Sequence, residues 1–159
     1  MRTNKRLAIA ILAPMLLGLP AVQAIGAEWQ LVTPAEDARD DAALHVPQST
    51  LPAVSGAPVI TVKQPDVSYP LHNPMTFDIQ FSAAQGATIN RSTLRVKYGW
   101  LGIDVTQRLL GHATWTASGL FAPDADVPTG NHRISVSIAD NLGRVGTRVA
   151  NLNVLRSGR

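Results

Sequence analysis

From Pro58 onward, apolar and polar residues alternate with a period of two. In MTFDIQFS, Met75, Phe77, Ile79 and Phe81 fall on one face and Thr76, Asp78 and Gln80 on the other. STLRVKY sets Leu94, Val96 and Tyr98 against Arg95 and Lys97, and HRISVSIAD turns Ile134, Val136 and Ile138 inward. Such alternation describes strands with one face on a core and the other in water. VITVKQ, ended by Pro65, reads as a further strand, and IDVTQRL and ATWT as shorter ones. RVGTRVANLNVL reads as the last strand, with a slip of phase near Val149–Ala150 that predicts a bulge. The runs AAQGA, ASG, PTGN and NLG supply turns between them. About seven strands at this spacing, with no long helical pattern between them, predict an all-β sandwich over residues 57–155.

Ahead of the strands the pattern changes. TPAED reads as a helix start, with Thr33 as N-cap, Pro34 in the first turn and Glu36 closing a capping box. Any such helix is short, Pro34 to Leu44 at most. From His45 to Pro58 the chain is rich in Pro, Ser, Gly and Ala without periodicity, which predicts an extended linker. Residues 28–56 are therefore expected to form a flexible arm and linker, open to proteolysis over 33–57, and residues 156–159 a disordered tail. EWQLVT places Trp29, Leu31 and Val32 at the start of that arm. Their apolar surface needs cover from this domain, from a sheet edge or from a partner that accepts an added strand.

The first residues carry Arg2, Lys5 and Arg6, then the apolar run LAIAILAPMLLGLPAV and the small residues of AVQAIGA. That order is the pattern of a secretory signal peptide over residues 1–27, with cleavage after Ala24 or Ala27. The run is broken by Pro14 and Pro20 and is short beside the roughly 20 residues of a membrane span. The expected location is periplasmic or secreted, without stable membrane insertion once the signal is removed. Three of the 14 basic residues precede position 28 and none of the 11 acidic ones does, so the remaining chain is formally neutral. The basic character of the whole chain therefore carries no nucleic-acid footprint. With no cysteine, disulfides and thiolate chemistry are excluded, and the domain must rest on an ordinary apolar core.

Patterns that carry chemistry are sparse. His45, His72, His112 and His132 are far apart in sequence, and no H-E-x-x-H zinc pattern occurs. They read as loop or strand-edge polar residues. Asp124 and Asp126 in PDAD have carboxylates at alternate positions, as calcium loops do, but the rest of that loop is missing, so a solvated connection between strands is expected. Asp104 reads as a turn cap. There is no G-x-S-x-G elbow, and the two glutamates, Glu28 and Glu36, lie outside the sandwich. The chain is expected to be no enzyme and to need no cofactor.

The stretch from Val127 to Arg144, VPTGNHRISVSIADNLGR, carries Pro128, Gly130, an alternating run, Asp140 and then Gly143. It resembles the last hairpin of bacterial immunoglobulin-like and fibronectin-III-like modules, and STLRVKYGWLGIDVTQRL is similar to their middle strands. The resemblance implies an immunoglobulin-like β-sandwich over about Ala57 to Leu155. In it Pro128 and Gly130 make the opening turn, Asp140 accepts backbone N–H groups and Gly143 takes a positive φ. The cysteine pair of antibody domains is absent.

Binding is the expected role. Trp100 and Leu101 sit between glycines in YGWLGID, where a loop can present them as anchors. Arg95, Lys97, Arg133, Arg144 and Arg148 fall on outward positions and make a basic stripe if their strands are neighbours. Trp29 and Leu31 are the third candidate. The partner expected is an envelope or extracellular protein. The alternatives are a carbohydrate-binding module, which needs several aromatics on one flat face, and a metal-handling protein using surface histidines.

Overall fold

The structure, a computed structural model, describes residues 28–43 and 54–156. The chain runs β1 (Trp29–Gln30), α1 (Pro34–Asp41), β2 (Val59–Gln64), β3 (Met75–Ser82), β4 (Ile89–Tyr98), β5 (Ile103–Asp104), α2 (Thr106–His112), β6 (Thr114–Trp115), β7 (Gly119–Asp126), β8 (Gly130–Asp140) and β9 (Val145–Val154). One sheet is ordered β1-β7-β3-β2, with β6 also pairing β7, and the other β5-β4-β8-β9. The expected signal peptide and much of the linker lie outside the described residues.

Alternation does in three dimensions what it says in sequence. Met75, Phe77, Ile79 and Phe81 of β3 are buried against Leu94, Val96 and Tyr98 of β4 and Ile134, Val136 and Ile138 of β8. The protein is an all-β sandwich. The β8–β9 hairpin closes as its residues dictate. Asp140 Oδ1 accepts the N–H groups of Leu142 and Arg144, both at 2.9 Å, and Gly143 sits at φ 76°. Burial pushes the Asp140 carboxyl up, but hydrogen bonds from Arg144 and Leu142 outweigh it and hold the group below its ordinary range.

Four expectations need correction. IDVTQRL is not a strand: only Ile103–Asp104 pairs, and α2 follows. Val105 and Leu109, four residues apart, both lie in the core, and Asp104 Oδ1 accepts the Thr106 N–H at 2.9 Å. So short an apolar run fits either period, and the i, i+4 face won. PDAD is not a loop but the end of β7. Asp124 takes φ 55° and the register against β3 shifts there, so a bulge hides the alternation while Ala122 and Ala125 both face the core. The bulge expected near Val149–Ala150 is absent, since β8 and β9 pair without a break from Gly130↔Val154 to Ala139↔Val145. Arg148 takes the parity of inward residues, opposite Val136, yet lies exposed on this edge strand, and that mimics a slip of phase.

The fourth correction concerns the arm. Residues 28–43 are packed on the sandwich rather than flexible: Trp29, Leu31 and Val32 belong to the core. β1 pairs in parallel with the end of β7, and the Leu31 N–H reaches Asp126 O at 2.9 Å. The Trp29 ring stacks on His112 at 4.5 Å and donates from Nε1 to Pro123 O at 2.7 Å. The apolar surface of EWQLVT is thus covered by its own domain and sheet edge.

Val136 sits in the centre of β8 between Ile134 and Ile138, and all three are buried. Val136→Asp places an unpaired carboxylate there and is expected to cost about 3 kcal/mol or more. Chemical denaturation checks this, and an unchanged midpoint would mean that the inward face has been misassigned.

Candidate binding face and the helix that frames it

Pairing of β4 with β8 puts three of the expected cations on the outer face of one sheet. Arg95 lies opposite Ser137 and Lys97 opposite Ser135, while Arg133 of β8 lies opposite Asn151 of β9. Lys97 also pairs across to Asp104 of β5. That carboxyl is held below its ordinary range, first by hydrogen bonds from Thr106 and further by the charges of Arg95 and Lys97. The guanidinium of Arg133 lies over the Trp100 ring, 4.9 Å from its centroid. Leu101 beside it is 51% exposed. Beyond Arg95 the face runs into an open groove of about 520 Å³ lined by Arg95, Asp104, Thr106, Gln107 and Arg108.

The other expected candidates are placed elsewhere. Arg144 is drawn to the Asp140 carboxylate at 2.7 Å, and Arg148 takes the opposite parity from the stripe. Trp29 and Leu31 are buried and present no surface. Of the histidines, His45 lies outside the described residues, His72 is exposed, His112 stacks on Trp29, and His132 is buried rather than at the surface. Among the described residues, no group of three or more His, Cys, Asp or Glu is assembled to hold a metal ion. Among the same residues, no helix is long and apolar enough to cross a membrane.

What sequence reasoning missed is the frame of this face. The capping box forms as expected, with Thr33 and Glu36 bonded reciprocally. Helix α1 then sends three carboxylates to three places. Glu36 takes both guanidinium nitrogens of Arg108 on α2, at 2.8 and 2.9 Å, and Arg108 also donates to Leu31 O at 2.7 Å. Asp40, buried, accepts the N–H groups of Trp100 at 3.0 Å and Leu101 at 2.7 Å. Asp37 Oδ1 accepts the Tyr98 hydroxyl at 2.6 Å. Tyr98 also meets His132 Nδ1 at 2.5 Å, and His132 Nε2 faces Pro128 O at 2.7 Å.

The loop after β4 is shaped for this contact. Gly99 and Gly102 take φ 71° and 64°, and a Cβ at position 99 would collide with the Asp40 carboxylate. Gly99 is thus required twice, for its backbone and for the close approach of α1. The sequence did hold a signal: Asp37 and Asp40, three apart on a capped helix, share one face. Nothing local says which donors that face meets.

The surface so built can hold an anionic or mixed polar and apolar partner. In the trio of Asp37, Tyr98 and His132, Tyr98 and His132 are buried and Asp37 is partly exposed. No family model, no curated protein and no solved structure matches this chain.

The Glu36 carboxyl is held down to about 2 from an ordinary 4.5, first by the Arg108 hydrogen bond, against burial and with help from Thr33. A group lowered in the folded state stabilises above its unfolded value and loses that contribution as pH falls through the folded one. Docking of α1 is therefore expected to weaken between about pH 4.5 and 2. Trp29 sits on the same arm, so its fluorescence should report the change. Glu36→Gln should weaken docking at neutral pH and reduce the acid response in this window; an acid response identical to that of the native chain would sink the Glu36–Arg108 account.

Proposed function

We propose that this chain is an exported, non-catalytic binding or assembly module with an immunoglobulin-like sandwich, and that it engages an envelope or extracellular protein. The contact surface is the outer face of the β5-β4-β8-β9 sheet with its Trp100–Leu101 loop. The export reading rests on the n-region, apolar run and small residues of positions 1–27. Support for the immunoglobulin-like type comes from the two-sheet order and from a crossover near Leu71. That residue leaves the β2–β3 side and bridges in parallel to Val154 of the other sheet.

The observation that carries the binding reading is the convergence of Leu101, 51% exposed, and Trp100 with Arg95, Lys97 and Arg133 on one face. An exposed aliphatic group beside an aromatic ring and several cations is the make-up of a protein contact. A sugar platform would want more than one aromatic ring there, and among the described residues this face offers Trp100. The protein reading is therefore preferred over the carbohydrate one.

The test is comparative capture from the native envelope, read by mass spectrometry, with the native chain, Leu101→Asp, and Arg95→Glu combined with Lys97→Glu. Leu101 is exposed, so Leu101→Asp should change stability by no more than about 0.5 kcal/mol, and the charge reversal beside Asp104 should cost no more than about 1 kcal/mol. A protein retained by the native chain and lost from both variants supports the assignment. Retention by both variants removes this face from consideration. Trp100→Ala separates anchor from cap: a cost near the ~3–5 kcal/mol of a core aromatic, with capture intact, would make the ring part of the sandwich end.

A further inference from the structure

The trio under the Trp100 loop poses a problem of proton count. Burial, and then the hydrogen bond and charge of Asp37, hold the Tyr98 phenol far above its ordinary range, with Asp40 and Asp41 adding to the effect. Tyr98 therefore keeps one proton and has one to give. His132 Nε2 faces the carbonyl oxygen of Pro128, which only accepts, so Nε2 carries a hydrogen. The Tyr98 oxygen stands 2.6 Å from Asp37 Oδ1 and 2.5 Å from His132 Nδ1. Its single hydrogen serves one of these contacts and not both. With a neutral imidazole and an ionised Asp37, the remaining contact sets two acceptors against each other at hydrogen-bond distance. One more proton resolves it: Nδ1–H donates to the Tyr98 oxygen and Tyr98 donates to the carboxylate.

We infer that Asp37, Tyr98 and His132 form a proton-dependent latch: docking of α1 takes up one proton at this trio, and the docked helix in turn holds the Trp100–Leu101 loop through Asp40. The groups that face His132 agree with this. From α1 comes Asp37, 3.3 Å from Nδ1, and from β4 comes Tyr98, on which the negative charges of Asp40 and Asp41 also act. β9 sets Leu152 opposite it, and the turn before β8 sets the Pro128 carbonyl. Arg133, next along β8, projects to the other face and onto Trp100. Arg108 of α2 is paired with Glu36.

The sign follows from the count. Where free histidine is neutral, above roughly pH 6.5, docking with proton uptake weakens by up to about tenfold per pH unit until the docked trio releases its proton. Docking is strong at and below the ordinary histidine range and is lost as pH rises. Loosening α1 withdraws Asp40 from the N–H groups of Trp100 and Leu101. The bearing on binding rests on the reading of that loop as the contact surface.

The full chain labelled with ¹⁵N tests the latch directly. Imidazole nitrogen spectra at pH 7, with His132 identified by its loss in His132→Gln, should show both ring nitrogens protonated. Asp37→Asn is the decisive variant. Its amide can donate to the Tyr98 oxygen, which then donates to an unprotonated Nδ1, so the relay is complete with one proton fewer. In that variant Nδ1 should be unprotonated at pH 7. Amide exchange protection at Trp100 and Leu101, corrected for intrinsic rates, should fall between pH 6 and 9 in the native chain and stay level in Asp37→Asn. An unprotonated Nδ1 in the native chain at pH 7, or a level protection profile, overturns the latch. Capture of the envelope partner at pH 6 and 9 reads the coupling separately. A working latch with capture unaffected by pH would reject the coupling to the binding face, whereas no capture at either pH bears on the proposed function alone.

Discussion

A buried carboxylate must be met by donors, and the end of this sandwich is organised around that constraint. Helix α1 carries Glu36, Asp37 and Asp40 to Arg108, to Tyr98 and His132, and to the backbone of Trp100 and Leu101. Each partner belongs to a different segment of the chain, so the helix ties α2, the β4–β8 pair and the loop after β4 to one position. Removing one donor leaves a charge in a poorly solvated site, which costs more than the lost bond. The apolar side of the same segment, Trp29, Leu31 and Val32, adds core contacts that hold the helix at the right depth.

This arrangement explains why the candidate face has the form it has. Strand β4 turns Arg95 and Lys97 outward and Val96 and Tyr98 inward, so the cations and the buried phenol alternate on one ladder. Just past Tyr98, Gly99 lets Asp40 approach and Trp100 turns back under Arg133. What solvent meets at Trp100 and Leu101 is thus decided from inside, by the buried Asp40 of α1. The acid weakness of the Glu36–Arg108 pair and the proton demanded by the trio bound the same docking from opposite sides of the pH scale.

Alternation made the sandwich legible. Strands β3 and β8 could be read residue by residue, and the placement of Arg95, Lys97 and Arg133 on one face followed once β4 and β8 were neighbours. Legibility failed where a local pattern was ambiguous or broken. Val105 and Leu109 suit a helix as well as a strand, Asp124 hides the end of β7 in a bulge, and Arg148 sits at an inward parity on an edge strand. It failed more deeply at α1. Thr33 and Glu36 announce a helix, but its destination is set by Tyr98, His132 and Arg108, between 61 and 95 positions further along the chain, and no period records such contacts. Trp29 and Leu31 looked like free anchors for the same reason.

The central claim is that residues 28–43 are an integral part of the domain and frame the candidate face beside the Trp100–Leu101 loop. Native-state hydrogen exchange at the Leu31 amide, which is bonded to Asp126 O across the β1–β7 pair, tests it most directly. The account expects Leu31 to be strongly protected at neutral pH and to respond to added denaturant together with core amides such as that of Val136. Exchange of Leu31 at the rate of an unstructured peptide, with Val136 still protected, would show the arm to be free of the sandwich and would contradict the account.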